Sequence, residues 1–237
     1  GYFSKNIKDS YKPEKIIKVI KEIDKIYKAN ADSKNAAGAK AYLLNQFEFY
    51  GIKTPLRRIL CKAFYKTHPI KDHDELSLIV KECFEQPQRE LHYFAIELVG
   101  HHKKLWCKKT LPLIEWMISH KSWWDSVDST NTHVISKFFI LFPEYIPDYT
   151  SKWNQSNNKW LQRMSILFQL TYKKNTNTKL LATYIEHCIH EQDFFIRKAI
   201  GWALRAYTYQ DVKWVKTFVK SHPALSPLSK REALKHH

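Results

Sequence analysis

The sequence predicts an all-α chain: an α-solenoid of HEAT-like helical repeats with a concave basic groove. Three observations carry this. Only five glycines occur in 237 residues, too few for the tight turns of an all-β protein. Apolar residues recur at helical rather than alternating spacing. A ten-residue pattern returns at intervals that suit a pair of helices, the unit from which solenoids are stacked.

Residues 1–30 predict a basic amphipathic helix, with Ile16, Ile17, Val19, Ile20, Ile23 and Ile26 as its apolar stripe and lysines opposite. The stripe lacks the Trp or Phe of a membrane-surface anchor. It is therefore read as the end cap, over about residues 1–35, of a single domain covering 1–237. A second helix is expected over residues 37–49, with Gly51 as its C-terminal stop. Thr54-Pro55 opens a third, with proline in the first helical turn.

The repeat follows. Segments 91–98 (LHYFAIEL), 161–170 (LQRMSILFQL) and 195–204 (FIRKAIGWAL) align, and 121–130 (KSWWDSVDST) falls between the first two. A looser unit covers 56–64, and partner helices are expected over 111–118 and 180–189. One register position holds Ala95, Asp128, Ser165 and Ala199, in steps of 33, 37 and 34 residues. Three units place a small residue there, and the central one places a carboxylate. A charge at a close-packed position destabilises the fold unless it is hydrated or paired, so Asp128 is expected to border the open groove.

With Ser122 as helix cap, Trp124, Val127 and Asp128 would share one face. A plainer reading has Asp125 or Asp128 neutralise a helix N-terminus. Stacked repeats would gather Trp124, Asp128, Arg163 and Trp202 on the inner surface. Against that, Trp202 suits a core, and Arg163 and Arg197 suit ion pairs between repeats.

Thirty-nine Lys and Arg against 23 Asp and Glu give a formal charge of +16, a field that favours a polyanion. No apolar run of ~18 residues and no signal-peptide pattern is present, so a soluble, cytoplasmic protein is expected. Arg57, Arg58, Lys121, Arg163, Arg197, Lys198, Arg205, Lys230 and Arg231 stand near helix starts or on the candidate inner helices, where they suit phosphates. The chain has no helix-turn-helix, zinc-finger or RRM motif, which leaves a binder that grips backbone and reads shape. The four cysteines form no Cys-x-x-Cys pair, and His101, His102 and Cys107 match no usual zinc spacing. Neither a metal nor a nucleotide cofactor is expected.

The strings SWWDSVDS (122–129), WLQRMSILFQL (160–170), KAIGWALR (198–205) and PLSKREALKH (227–236) resemble the AlkD-type DNA alkylation-repair glycosylases, a family of HEAT-like repeats, and the likeness runs over residues 42–235. The resemblance implies excision of cationic N3- and N7-alkylated purines, such as 3-methyladenine and 7-methylguanine, from duplex DNA without flipping the base. It places the catalytic carboxylate at Asp128, lesion-facing tryptophans at Trp124 and Trp202, and a groove arginine at Arg163. Tyr42, Arg58 and Arg205 match further DNA-facing positions, and Thr54, Lys121, Arg197 and Lys230 join them from their places at helix starts. The chemistry is consistent. An N3- or N7-alkylated purine already carries positive charge and leaves without a general acid, so one carboxylate suffices to stabilise the oxocarbenium-like sugar and guide water, while indole faces attract the cation. The expected agent is a monomeric glycosylase of the bacterial cytoplasm, acting at the nucleoid on double-stranded DNA, with no membrane partner. The rivals are a non-catalytic HEAT-repeat binder of distorted or branched DNA, and a protein-binding solenoid.

Overall fold

A computed structural model of the chain describes residues 13–237, and the expected helix over 1–30 lies outside them for its first twelve positions. The chain forms two compact units, one ending at Leu113 and the other spanning Ile114–His237. Both are built of helices, as the spacing of apolar residues predicts. Among the described residues, no helix is long and apolar enough to cross a membrane.

The first unit holds α1 (Glu14–Ala29), α2 (Ser33–Tyr42), α3 (Thr54–Thr67), α4 (His73–Glu85) and α5 (Arg89–His101). The α1 stripe buries Ile16, Val19, Ile20 and Ile23, while Ile17 stays 39% exposed and Tyr27 takes the place expected for Ile26. This face packs on α4, and the buried Tyr27 hydroxyl lies 2.9 Å from Cys61 Sγ on α3. The second helix is shorter than expected. It ends at Tyr42, and the chain turns through Leu44 and Asn45, whose φ angles are 57° and 58°. Gly51 is no helix stop. Its φ of 90° serves a loop pressed so closely on α2 that an added Cβ would lie 2.0 Å from Asp32 O. The buried Glu90 carboxylate holds that loop, accepting from the backbone N–H groups of Tyr50, Gly51 and Ile52 at 3.0, 2.8 and 3.2 Å. Thr54-Pro55 then starts α3 as expected.

α6 (Thr110–Ser119) crosses the end of the first unit. The second continues with α7 (Trp124–Thr130), a π turn (Asn131–Ile135), α8 (Ser136–Leu141), α9 (Ile146–Asn154), α10 (Lys159–Leu167), α11 (Thr178–Cys188), α12 (Phe194–Ser221) and α13 (Pro227–Ala233). α12 breaks at Asp211, where φ is −151° and ψ 84°. The aligned segments occupy α5, α7, α10 and α12, with α6 and α11 as expected partner helices. The period is visible in side-chain bonds made one repeat away. Thr150 Oγ1 lies 2.6 Å from Tyr184 Oη, 34 residues on. Asn131 Nδ2 donates to Leu167 O at 2.9 Å over 36 residues, and Ser229 Oγ to Arg197 O at 2.8 Å over 32. Such bonds satisfy polar groups that would otherwise be stranded in the core, and they fix how one helix pair sits on the next.

Close packing of α12 on α13 depends on Gly201. A Cβ there would meet Glu232 Cβ at 2.6 Å and Ser229 O at 3.1 Å. Helix propensity favours Gly201→Ala by about 1 kcal/mol, whereas forcing two helices apart typically costs about 1–3 kcal/mol. Overpacking should win because both obstructing atoms are at or near backbone. A net loss is expected in urea unfolding of Gly201→Ala, and a gain would show that α13 yields freely.

Candidate active site

The helix bearing Asp128 is built differently from the sequence expectation. Ser122 does not cap it. Its Oγ donates back to Ile118 O at 2.6 Å, closing the preceding helix. Lys121, with φ at 50°, reverses the chain, and Trp123, extended at φ −153° and ψ 166°, takes the cap position without a side-chain bond. α7 therefore begins at Trp124, with Asp128 one turn on. Val127 and Ser126 turn into the core, leaving Trp124 and Asp128 half-buried at i and i+4. The helix widens into the π turn directly afterwards, where Thr132 Oγ1 donates to Asp128 O at 3.1 Å. Short π segments frequently mark functional sites.

Exposure separates Asp128 from the residues that share its register. Ala95, Ser165 and Ala199 are at most 1% exposed, whereas the Asp128 side chain keeps 20% of its surface. Arg163 of α10, 4% exposed, approaches it as a fork. Its Nε donates to Asp128 Oδ1 at 2.9 Å and its Nη2 to Oδ2 at 2.9 Å. Its Nη1 donates to Phe195 O in the first turn of α12 at 2.7 Å. Bidentate pairing of this kind is strong and directional. A carboxylate offers about four lone-pair sites, so two remain for a water or a cation after Arg163 has taken its share. The Trp202 ring centroid lies 5.8 Å from the Arg163 Cζ. The structure thus brings Asp128, Arg163 and Trp202 together, with Trp124 on the Asp128 helix face.

An aromatic wall supports this group. Phe195 packs against Trp123 and Trp160 at centroid distances of 5.2 and 4.9 Å. Asp193 caps α12 by accepting from Phe195 N at 2.8 Å and Ile196 N at 3.2 Å, and Lys159 reaches its other oxygen at 3.2 Å. The cap fixes the turn whose carbonyl holds Arg163. Of these supporting residues, neither Asp193 nor Lys159 was read from the sequence as part of the site, although an Asp immediately before an aromatic-rich helical run is a readable N-cap signal.

A family model of the DNA alkylation repair enzyme matches residues 23–237. The chain belongs to the DNA alkylation repair enzyme family. Among solved structures, it is similar to one titled "Predicted DNA alkylation repair enzyme from Enterococcus faecalis", with 30% identity and a TM-score of 0.81 over 87% of this chain and 96% of that one. No curated protein matches. The family implies a DNA substrate, which agrees with the basic composition.

In this member of the DNA alkylation repair enzyme family the remaining expected DNA-facing residues fall into several settings. Arg163 was expected either to face a DNA backbone or to pair with an acid of the neighbouring repeat; the second holds, since all three of its nitrogens are engaged inward and the residue is buried. Arg205 Nη1 donates to Glu232 Oε2 at 2.9 Å, and Lys198 Nζ lies 3.1 Å from the other oxygen. These bonds, that of Lys198 foremost, hold the Glu232 carboxyl below the usual carboxylate range. Arg197 Nε donates to Glu191 O at 3.0 Å, and Lys230 Nζ to Pro223 O at 3.1 Å. Lys121 is exposed beside the tryptophan pair. Within the first unit, Tyr42 is 72% exposed and Thr54 begins α3 at the surface. Arg58 is exposed and donates from Nε to Glu97 Oε1 at 3.2 Å, while its neighbour Arg57 is buried and paired with Glu97.

Proposed function

We propose that this repair enzyme is a monofunctional DNA glycosylase that hydrolyses the N-glycosidic bond of N3- and N7-alkylated purines in duplex DNA. The observation that carries the reading is Asp128, a carboxylate kept partly open and oriented by a buried arginine at a register its sister repeats fill with small, closed side chains. In the proposed reaction the C1′–N bond breaks, and the alkylated base leaves as a neutral purine with the bonding electrons. Asp128 stabilises the cationic sugar and accepts a hydrogen bond from the incoming water, whose oxygen bonds to C1′ and whose proton passes to solvent. Trp124 and Trp202 supply electron-rich faces toward the cation. Arg163 acts through Asp128 by holding both its oxygens. The expected setting is the cytoplasm, with the enzyme acting as a monomer.

One observation favours a second reading. The Arg163 fork partly neutralises Asp128, as it would in a non-catalytic binder of distorted DNA on the same scaffold. Incubation with methylated duplex DNA and mass spectrometry of the supernatant separates the two. Free 7-methylguanine or 3-methyladenine above the spontaneous background is the expected result. Salt-sensitive binding with no base released would replace the glycosylase by the binder.

A further inference from the structure

The π turn that follows Asp128 is tied at both ends to α10 and the turn after it. At its first residue, Asn131 Nδ2 donates to Leu167 O at 2.9 Å. Just past its last, Ser136 O accepts from Tyr172 Oη at 2.6 Å. Each bond joins positions 36 residues apart, and the Asp128–Arg163 fork joins positions 35 apart. The three contacts are successive rungs between the same two stretches of chain, 128 to 163, 131 to 167 and 136 to 172. Asn131 stands three residues past Asp128 and Leu167 four past Arg163, so the Asn131 rung lies about one helical turn from the fork on both sides.

The Asn131 rung stands where polarity is costly. Asn131 is 5% exposed, and its Oδ1 is buried with no hydrogen-bond partner among the described residues. A leucine would fill much the same space without stranding an acceptor, so what the asparagine supplies is the Nδ2 bond. A π turn takes up one residue more than an α turn, which rotates the chain beyond it by about 100°. In α8, Phe138 and Phe139 are at most 1% exposed, and that helix cannot rotate without uncovering them. Any relaxation of the turn would then be taken up in α7. It would swing Asp128 out of the fork, whose two bonds are both 2.9 Å long. We propose that Asn131 and Tyr172 are positioning residues for the reaction at Asp128, pinning the π turn so that the carboxylate stays in register with Arg163. The proposal rests on the glycosylase reading for its function. Both residues act through Asp128, and a misplacement of about 1 Å at a reacting group can cost about a hundredfold in rate.

The test measures base release by the full chain from a duplex carrying 7-methylguanine. Tyr172→Phe keeps the ring, which lies edge-on to Phe168 at a centroid distance of 5.9 Å, and removes only the bond. Its kcat should fall about fivefold with KM within about twofold, and Asn131→Leu should lower kcat about tenfold in the same manner. Tyr184→Phe removes a comparable bond between repeats, to Thr150 of α9, and should leave kcat near that of the native chain. In the Arg163→Met background no fork is left to align, so adding Tyr172→Phe should lower kcat by less than about twofold. Native kcat in Tyr172→Phe, an equal fall in Tyr184→Phe, or the full fivefold fall in the Arg163→Met background would each overturn the positioning role. Should Asn131→Leu fail to fold, Tyr172→Phe and its cycle decide. A native chain that binds duplex yet frees no base overturns the glycosylase reading instead, and urea unfolding then judges the pinning alone. Tyr172→Phe should shift the midpoint less in Arg163→Met than in the native chain, and equal shifts would overturn it.

Discussion

Asp128→Asn should lower base release from methylated duplex DNA by about a thousandfold, on the order of 4 kcal/mol of transition-state stabilisation, with duplex affinity changed little. The side chain keeps its shape, so the loss isolates charge. The substrate base is already cationic in the ground state, and what develops in the transition state is positive charge on the sugar. A neutral amide answers that charge far less well than a carboxylate held in place beforehand. Affinity should survive because Asp128 contributes no cation to the phosphate contacts that dominate binding to DNA. The same substitution should also lower stability. Arg163, almost wholly enclosed, would retain its charge, lose its anionic partner, and face an amide NH2 donor where one carboxylate oxygen had accepted. Rates are therefore to be compared well below the unfolding transition, with circular dichroism showing the variant folded. Turnover within a few-fold of the native chain would remove Asp128 from the chemistry.

How much of this was legible in the sequence depends on whether the deciding interaction is local. The repeat could be read because close helix packing demands a small side chain at one register, and Ala95, Ser165 and Ala199 satisfy it without reference to anything distant. Asp128 stood out as the exception for the same reason. Termini were read less well, since several residues compete for each. Ser122 has the chemistry of an N-cap, yet the left-handed turn at Lys121 brings its hydroxyl onto Ile118 O, and Trp123 inherits the cap by default. Gly51 has the chemistry of a helix stop, but α2 already ends through Leu44 and Asn45, and the glycine is required where the loop touches Asp32. The direction of Arg163 was not legible at all. A guanidinium on the same helix could turn outward to phosphate or inward to a carboxylate 35 residues away. Only the packed structure, with Phe195 O placed by the Asp193 cap, makes the inward choice the satisfied one.

Arg163→Met should unfold at lower denaturant, by about 2–3 kcal/mol, and should release base about 10–100-fold more slowly at saturating substrate. Removing one member of an enclosed ion pair usually costs about 3–5 kcal/mol because the other charge is stranded. Here the stranded group is the more open one. Asp128 keeps 20% of its surface against 5% for the Arg163 side chain, so water can rehydrate the carboxylate but cannot reach a buried guanidinium. The arginine variant should accordingly be the milder of the two in stability, and Asp128→Asn the more severe. In rate the order follows from role. Arg163→Met leaves the charge of Asp128 and frees its orientation, which lowers the rate without abolishing it. If the fork merely quenched Asp128, as in a non-catalytic binder, freeing it would leave release no slower. Combining the two substitutions removes both charges, so no ion is left stranded. The double variant should then be more stable than the sum of the single losses predicts, with a coupling of about 2 kcal/mol. Additive losses would mean that the two residues do not act as a pair in the folded protein, and the positioning role of Arg163 would fall with them.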